Sequence, residues 1–179
     1  MKKTILFFSL LTAATFGFAQ VKQTTSAIVS FDATTPKDAL PKAENKTVIA
    51  QLNTKTGEIG FEAAVKNFSF SNPLIQEHFN EERWMNSGKF PAFTFMGKIN
   101  DAQKYNFSKN GVYNVTVTGQ MTVKDKSTVL TTPATIEVKN GSLVATANFS
   151  ITLADYGIQV GDGGKIAGQP KITVSAELK

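Results

Sequence analysis

At residues 112–124 the side chains change character at every step. Tyr113, Val115, Val117, Gly119, Met121 and Val123 hold one parity, and Asn114, Thr116, Thr118, Gln120, Thr122 and Lys124 the other. Successive side chains of a strand point to opposite faces, so this run is dry on one side only when it is extended in a sheet. Leu143, Ala145, Ala147, Phe149, Ile151 and Leu153 repeat the pattern, and Ile172, Val174, Ala176 and Leu178 close the chain with it. Weaker alternation at residues 27–31, 48–53, 59–65, 93–99 and 130–138 brings the expectation to about eight strands. Thr56-Gly57, Asn110-Gly111 and Asn140-Gly141 offer positive-φ residues between such runs, as hairpins need, so neighbouring strands are expected to be antiparallel. Eight amphipathic antiparallel strands leave two exposed edges unless the sheet closes. That favours a barrel over a sandwich, which stays the second architecture.

One segment breaks the alternation. In NPLIQEHFNEERW, residues 72–84, Asn72 suits an N-cap and Pro73 a first helical position, while Leu74, Ile75, His78 and Phe79 interleave with Glu77, Glu81 and Glu82. A short amphipathic helix is expected there. Apolar parity also shifts between Val65 and Phe68-Ser69-Phe70, which implies a bend where the chain leaves the wall. Phe61, Phe68, Phe70, Phe79, Phe90, Phe93 and Phe95 gather around this helix with Trp84, so aromatic bulk is expected to crowd one end.

The chain opens on MKKTILFFSLLTAATFGFAQ, a basic start, an apolar core and small residues at Gly17 and Ala19. This is the pattern of a secretory signal peptide at residues 1–19. An anchoring helix is the other reading, but the run falls short of the ~20 apolar residues a span requires. Residues 20–179 then form one domain, exported to the periplasm or beyond, with no stable membrane span expected. The chain has no cysteine, which excludes a disulfide framework, a thiolate nucleophile and a lipid anchor through a lipobox Cys. Nineteen basic residues against fourteen acidic give +5, of which Lys2 and Lys3 belong to the leader. The remaining excess is dispersed and builds no basic stripe, so no nucleic-acid partner is expected.

The inventory for catalysis is thin. His78 is the one histidine, no G-x-S-x-G elbow accompanies it, and H-E-x-x-H is absent. Its neighbours Glu77, Glu81 and Glu82 read as a solvated helix face more readily than as metal ligands. Gly161-Asp162-Gly163-Gly164-Lys165 puts Ile166 where a phosphate loop carries Ser or Thr, and reads as a plain loop. No catalytic residue, metal or cofactor is therefore assigned. An enzyme using His78 is the weaker alternative.

What the dry parities offer is space. Ala63, Gly97, Gly119, Ala134, Ala145, Ala147 and Ala176 stand on them among larger residues, with no charged side chain. Small inward residues favour a barrel that holds one apolar ligand, although large neighbours could instead fill the gaps.

The stretch from Phe68 through PLIQEHFNEERWMNSGKFPAFTFMGKI resembles the hallmark region of the YceI-like family: F-x-F, an L-M-Q-E-H-F-N-E-like helix, an E-S-x-K-y-P-like turn and an F-x-G-x-I strand. GVYNVTVTGQMTV and FSITLADYGIQV resemble two further family segments, and the likeness runs from about residue 27 to residue 178. The chain departs from the pattern at Lys124-Asp125-Lys126-Ser127, where relatives carry a His-Gly turn, and at Arg83-Trp84, where they carry an Asn-Tyr-like pair. The resemblance implies an all-β fold, a closed antiparallel eight-stranded lipocalin-like barrel with one short helix near its mouth. It further implies a non-catalytic protein holding a long-chain isoprenoid or fatty-acyl amphiphile as ligand, for transport, storage or sequestration. The competing reading is an envelope structural or stress protein with a filled barrel, and homodimerisation stays open. Phe68, Phe70, Leu74, Phe79, Phe93, Phe95, Tyr113, Val115, Phe149, Ile151 and Tyr156 are the residues expected to line the cavity, with His78 and Trp84 at its mouth.

Overall fold

The computed structural model describes residues 20–161 and 163–179. The expected leader, residues 1–19, lies outside them, as does Asp162 of the glycine-rich loop. The wall consists of β1 (Val21–Asp32), β2 (Lys42–Asn53), β3 (Glu58–Ala64), β5 (Ala92–Ile99), β6 (Gly111–Val123), β7 (Lys126–Lys139), β8 (Ser142–Ser150) and β9 (Lys171–Leu178). A two-residue strand, β4 (Ser69–Phe70), flanks β2. Each wall strand pairs antiparallel with its neighbours, and β1 pairs with both β2 and β9, so the eight strands close into a barrel. Closure removes the sheet edges. The sandwich is thereby set aside.

Alternation sets which face turns inward. Val115, Val117 and Val123 of β6 are buried, as are Ile136 and Val138 of β7 and Leu143 and Ala145 of β8. Asn140 and Gly141 both take positive φ, at 51° and 83°, in the β7–β8 hairpin, which is the backbone twist that a two-residue turn between right-twisted strands demands. Asn110-Gly111 does not form a hairpin but ends the loop between β5 and β6. β1, β2 and β7 each begin earlier than the alternation alone indicated, because ladder hydrogen bonds extend strands through residues whose side chains are polar on both faces.

The chain leaves the wall after β3 through a 3-10 turn at Val65–Asn67, where the parity shift lay. Helix α1 (Pro73–Asn80) follows, with the Asn72 side chain accepting from the Leu74 backbone N–H at 2.9 Å. It stops at Asn80, short of the stretch to Trp84 read as helical. The Glu81 backbone turns extended, and the N–H groups of Met85 and Ser87 fold back onto the Phe79 and Asn80 carbonyls.

The two ends of the barrel differ. At one end, short connections and the loop between β5 and β6 cap a filled core of Leu52, Ile99, Phe107, Val115, Ile136, Leu143 and Leu178, all nearly inaccessible. At the other lie α1, the β1–β2 loop and the β8–β9 loop. These two loops are tied by the Ala167 N–H on the Ala33 carbonyl at 2.8 Å and the Thr35 hydroxyl on the Gly164 carbonyl at 2.9 Å.

The seam between β7 and β8 is paired from Ala134↔Ala147 towards the filled end only. Beyond it, residues 126–133 of β7 pair with β6 alone, and residues 148–150 of β8 pair with β9 alone. A 3-10 turn at Leu153–Tyr156 packs against β7 there, and the Tyr156 and Thr128 hydroxyls share a hydrogen bond. Among the described residues no helix is long and apolar enough to cross a membrane.

Candidate functional site

The loop-roofed end holds a cavity of about 360 Å³, inside the 300–1,000 Å³ range of small-ligand pockets. Its walls are the inward parities of the strands: Phe61 and Ala63 from β3, Phe93 and Phe95 from β5, Val117 and Met121 from β6, Ala134 from β7, and Ala145, Ala147 and Phe149 from β8. Ile75 and Phe79 of α1, with Leu153, Ile158 and Ile166 of the β8–β9 loop, form the roof. The surface is almost wholly carbon. Few hydrogen-bonding groups face the space, so water inside would lack the partners it needs, and an apolar occupant is favoured.

A ring cluster stiffens one side. Phe31 stacks on Phe79 at 5.7 Å between centroids, Phe68 and Phe93 lie 5.7 Å apart, and Phe70 packs against Phe79 at 5.0 Å. Stacked and tilted contacts of this kind contribute about 0.5–1.5 kcal/mol per pair beyond area burial. They hold α1 on the rim of the wall.

Of the residues read from the sequence, Phe68, Phe79, Phe93, Phe95, Phe149 and Ile151 face the cavity, and His78 and Trp84 stand at it. Five others do not. Phe70 is buried behind the cavity, in the ring cluster. Leu74 is 57% exposed, because it occupies the outer face of α1. Tyr113 and Val115 are on the correct parity but at the filled end; the Tyr113 hydroxyl donates there to the Asn106 carbonyl at 2.7 Å, and its ring packs edge-on to Phe107. Tyr156 is buried at the β7–β8 seam, where its hydroxyl pairs with that of Thr128, and does not line the cavity. The small residues divide as well. Ala63, Ala134, Ala145 and Ala147 open the cavity, whereas Ala176 is buried in the filled half. Gly97 and Gly119, paired across β5 and β6, add no room, since the Phe95 ring lies within 2.7 Å of where a Cβ on either would stand.

Sequence reasoning missed the part of the roof that loops supply. Ala33, Pro41, Ile166 and Pro170 sit in loops with no periodic signal, and Asp38 and Lys165 bring charge to the edge of an otherwise apolar cavity. Lys165 belongs to the glycine-rich segment that the sequence presents as a plain loop. His78 keeps only a loose relation to Glu81, at 3.9 Å, too long for a hydrogen bond. Among the described residues no group of three or more His, Cys, Asp or Glu side chains is placed to hold a metal ion.

The two departures from the family pattern meet in space. The Lys124 ammonium, in a tight turn at φ 58°, donates to the Trp84 carbonyl at 2.7 Å and lies 5.9 Å from the centre of the Phe90 ring. The β6–β7 hairpin is thus latched to the segment that follows α1. Thr122 and Ser127 add a hydroxyl pair at 2.7 Å across the base of that turn.

Comparison with known proteins agrees with this geometry. The YceI-like domain pattern matches residues 10–178. No curated protein is recognisably similar in sequence. Among solved structures, a polyisoprenoid-binding domain from Saccharophagus degradans, implicated in plant cell wall breakdown, superposes with a TM-score of 0.75 at 10% identity, over 89% of this chain and 98% of that one. BcnA of Burkholderia cenocepacia follows at 0.56 and 16%, over 90% and 98%, and the YceI protein of Campylobacter jejuni at 0.53 and 15%, over 74% and 80%. At such identities the likeness is one of fold.

Proposed function

The chain belongs to the YceI-like family, and from that membership together with its half-hollow barrel we propose that it is an exported, non-catalytic carrier of a long-chain isoprenoid or other amphiphilic lipid. One observation carries the reading: a cavity of about 360 Å³ whose walls and roof are apolar side chains, with Asp38, His78 and Lys165 confined to its edge. An apolar chain gains about 0.8 kcal/mol per buried CH₂, against an association cost of roughly 4–15 kcal/mol. Chains of about ten or more buried carbons are therefore needed for useful affinity, and a polar headgroup stays at the rim. The polyisoprenoid-binding domain of the same fold supports a lipid ligand. Export rests on the leader at residues 1–19, and it fits a barrel whose wall begins at Val21, two residues after the expected cleavage at Ala19.

Mass spectrometry of an organic extract of the purified protein tests the proposal. A long-chain lipid near one equivalent per protein is the expected result. Reproducible absence of lipid, with no uptake of added polyprenol or fatty acid, would return the barrel to a structural role. A chemically altered product would point to catalysis. The intact mass of protein recovered from the envelope tests export, which requires Gln20 as the first residue.

A further inference from the structure

We infer that Phe95 is the residue that sets how long a chain the cavity accepts; the inference rests on the carrier reading and specifies it. β5 runs from the roofed end towards the filled end, so the inward positions after Phe93 and Phe95 are Gly97 and then Ile99. Gly97 faces Gly119 directly across β5 and β6. The Phe95 ring lies down over this glycine pair, its Cζ 2.7 Å from a Cβ built on Gly97 and 2.6 Å from one built on Gly119. Real Cβ atoms do not approach so closely. The ring occupies a recess that exists only because both positions lack a side chain.

The cavity ends at this level. Phe95, Val117 and Ala145 line it, while Ile99 and Val115, the next inward residues below, are buried in the filled core and do not. Phe95 is thus the floor on the β5–β6 side, flanked by Ile59 and Leu130, which line the cavity opposite Gly97 and Gly119, and what lies under the ring is bare backbone with no second layer of side chains at those two positions. Ring removal should lengthen the cavity along the barrel axis without disturbing the roof, the ring cluster at α1 or the charged edge.

The experiment measures dissociation constants of wild type, Phe95→Leu and Phe95→Ala for a homologous series of linear fatty alcohols and a parallel series of polyprenols, by displacement of a fluorescent fatty acid. Within the accepted range, affinity should rise roughly fourfold per methylene, then level off at the length that fills the cavity. The plateau should move to longer chains in the order Phe, Leu, Ala, by up to roughly six carbons for Ala, the number of ring atoms removed. Retention of a cooperative thermal transition is checked for each variant, and Phe95→Leu carries the test if Phe95→Ala does not fold. A wild type that binds chains, with the same plateau in the folded variants, overturns the assignment of Phe95 and leaves the carrier reading standing. A wild type that binds no chain of either series overturns both.

Discussion

Tyr156 shows how one side chain can serve the cavity without touching it. Its hydroxyl joins Thr128 across the stretch where β7 and β8 are unpaired, and burial pushes its phenol above the ordinary value of 10.0, against the lowering effect of that hydrogen bond. A raised value in the fold means that the neutral phenol is favoured there. Its contribution is complete below the unfolded value and is lost as pH rises through the folded one. Tyr156→Phe should cost about 0.5–1.5 kcal/mol at neutral pH, the worth of one hydrogen bond. The melting temperature of the wild type should also fall more steeply than that of the variant between about pH 9 and pH 11. Parallel curves in differential scanning calorimetry would show that this phenol does not couple to folding. His78 is the contrasting case: its side chain is 42% exposed and its nearest acidic partner is 3.9 Å away, which suits a residue that meets water or a headgroup at the rim.

At the scale of elements, the segment after α1 is held by the β6–β7 hairpin. Lys124 reaches the Trp84 carbonyl, and Trp84 in turn lines the cavity, so turn and roof are mechanically joined. A hydrogen bond from a charged donor contributes about 1.5–3 kcal/mol when well buried, and nearer 1 kcal/mol at a partly solvated site like this one. Lys124→Ala should therefore lower the melting temperature by roughly 2–4 °C. Dissociation of a bound chain should quicken by a few-fold, because the Trp84 segment is freer to lift. Stopped-flow transfer of a fluorescent fatty acid to acceptor vesicles reads this directly. An unchanged dissociation rate would mean that the latch acts on stability alone. The helix itself needs no such support, since Asn72 caps it and the Phe31–Phe79 stack fixes its inner face.

For the molecule as a whole, the two states weighed from the sequence, filled barrel and hollow barrel, both occur, at opposite ends. The filled half carries the large side chains with the least exposure, Leu52, Ile99, Ile136, Leu143 and Leu178, and anchors the closed sheet. The hollow half gives up packing and leaves the apolar cavity. Ala147→Trp places an indole in the hollow half, where Ala147 lines the cavity beside Ala145 and Phe149. Because the ring can occupy space already present, the variant should keep a cooperative transition and a strand-rich circular dichroism spectrum, while co-purified lipid falls several-fold. The same substitution in a packed interior would overpack it and cost about 1–3 kcal/mol or more. Strong destabilisation together with no lipid in the wild type would show that the upper half is closed in solution.

Alternation is a property of neighbours in the chain, which is why the inward faces of β6 and β8 and the cap of α1 were legible from residues alone. The hallmark motifs likewise marked the family without any coordinates. Parity, however, tells only which face a side chain takes and not its depth along the barrel axis. Tyr113, Val115 and Met121 share a parity on one strand, yet the first two are in the filled end and the third is in the cavity. Depth depends on how eight strands are staggered when the sheet closes, a sum of pairings between residues far apart in sequence. The role of Gly97 and Gly119 was hidden for the same reason: a missing side chain creates either a void or a seat, and which one results depends on whether a neighbouring ring, here Phe95, lies down into it. The loop-borne part of the roof was beyond reach, because residues such as Lys165 and Ile166 come to the cavity through loops whose path only the hydrogen bonds between the two loops define.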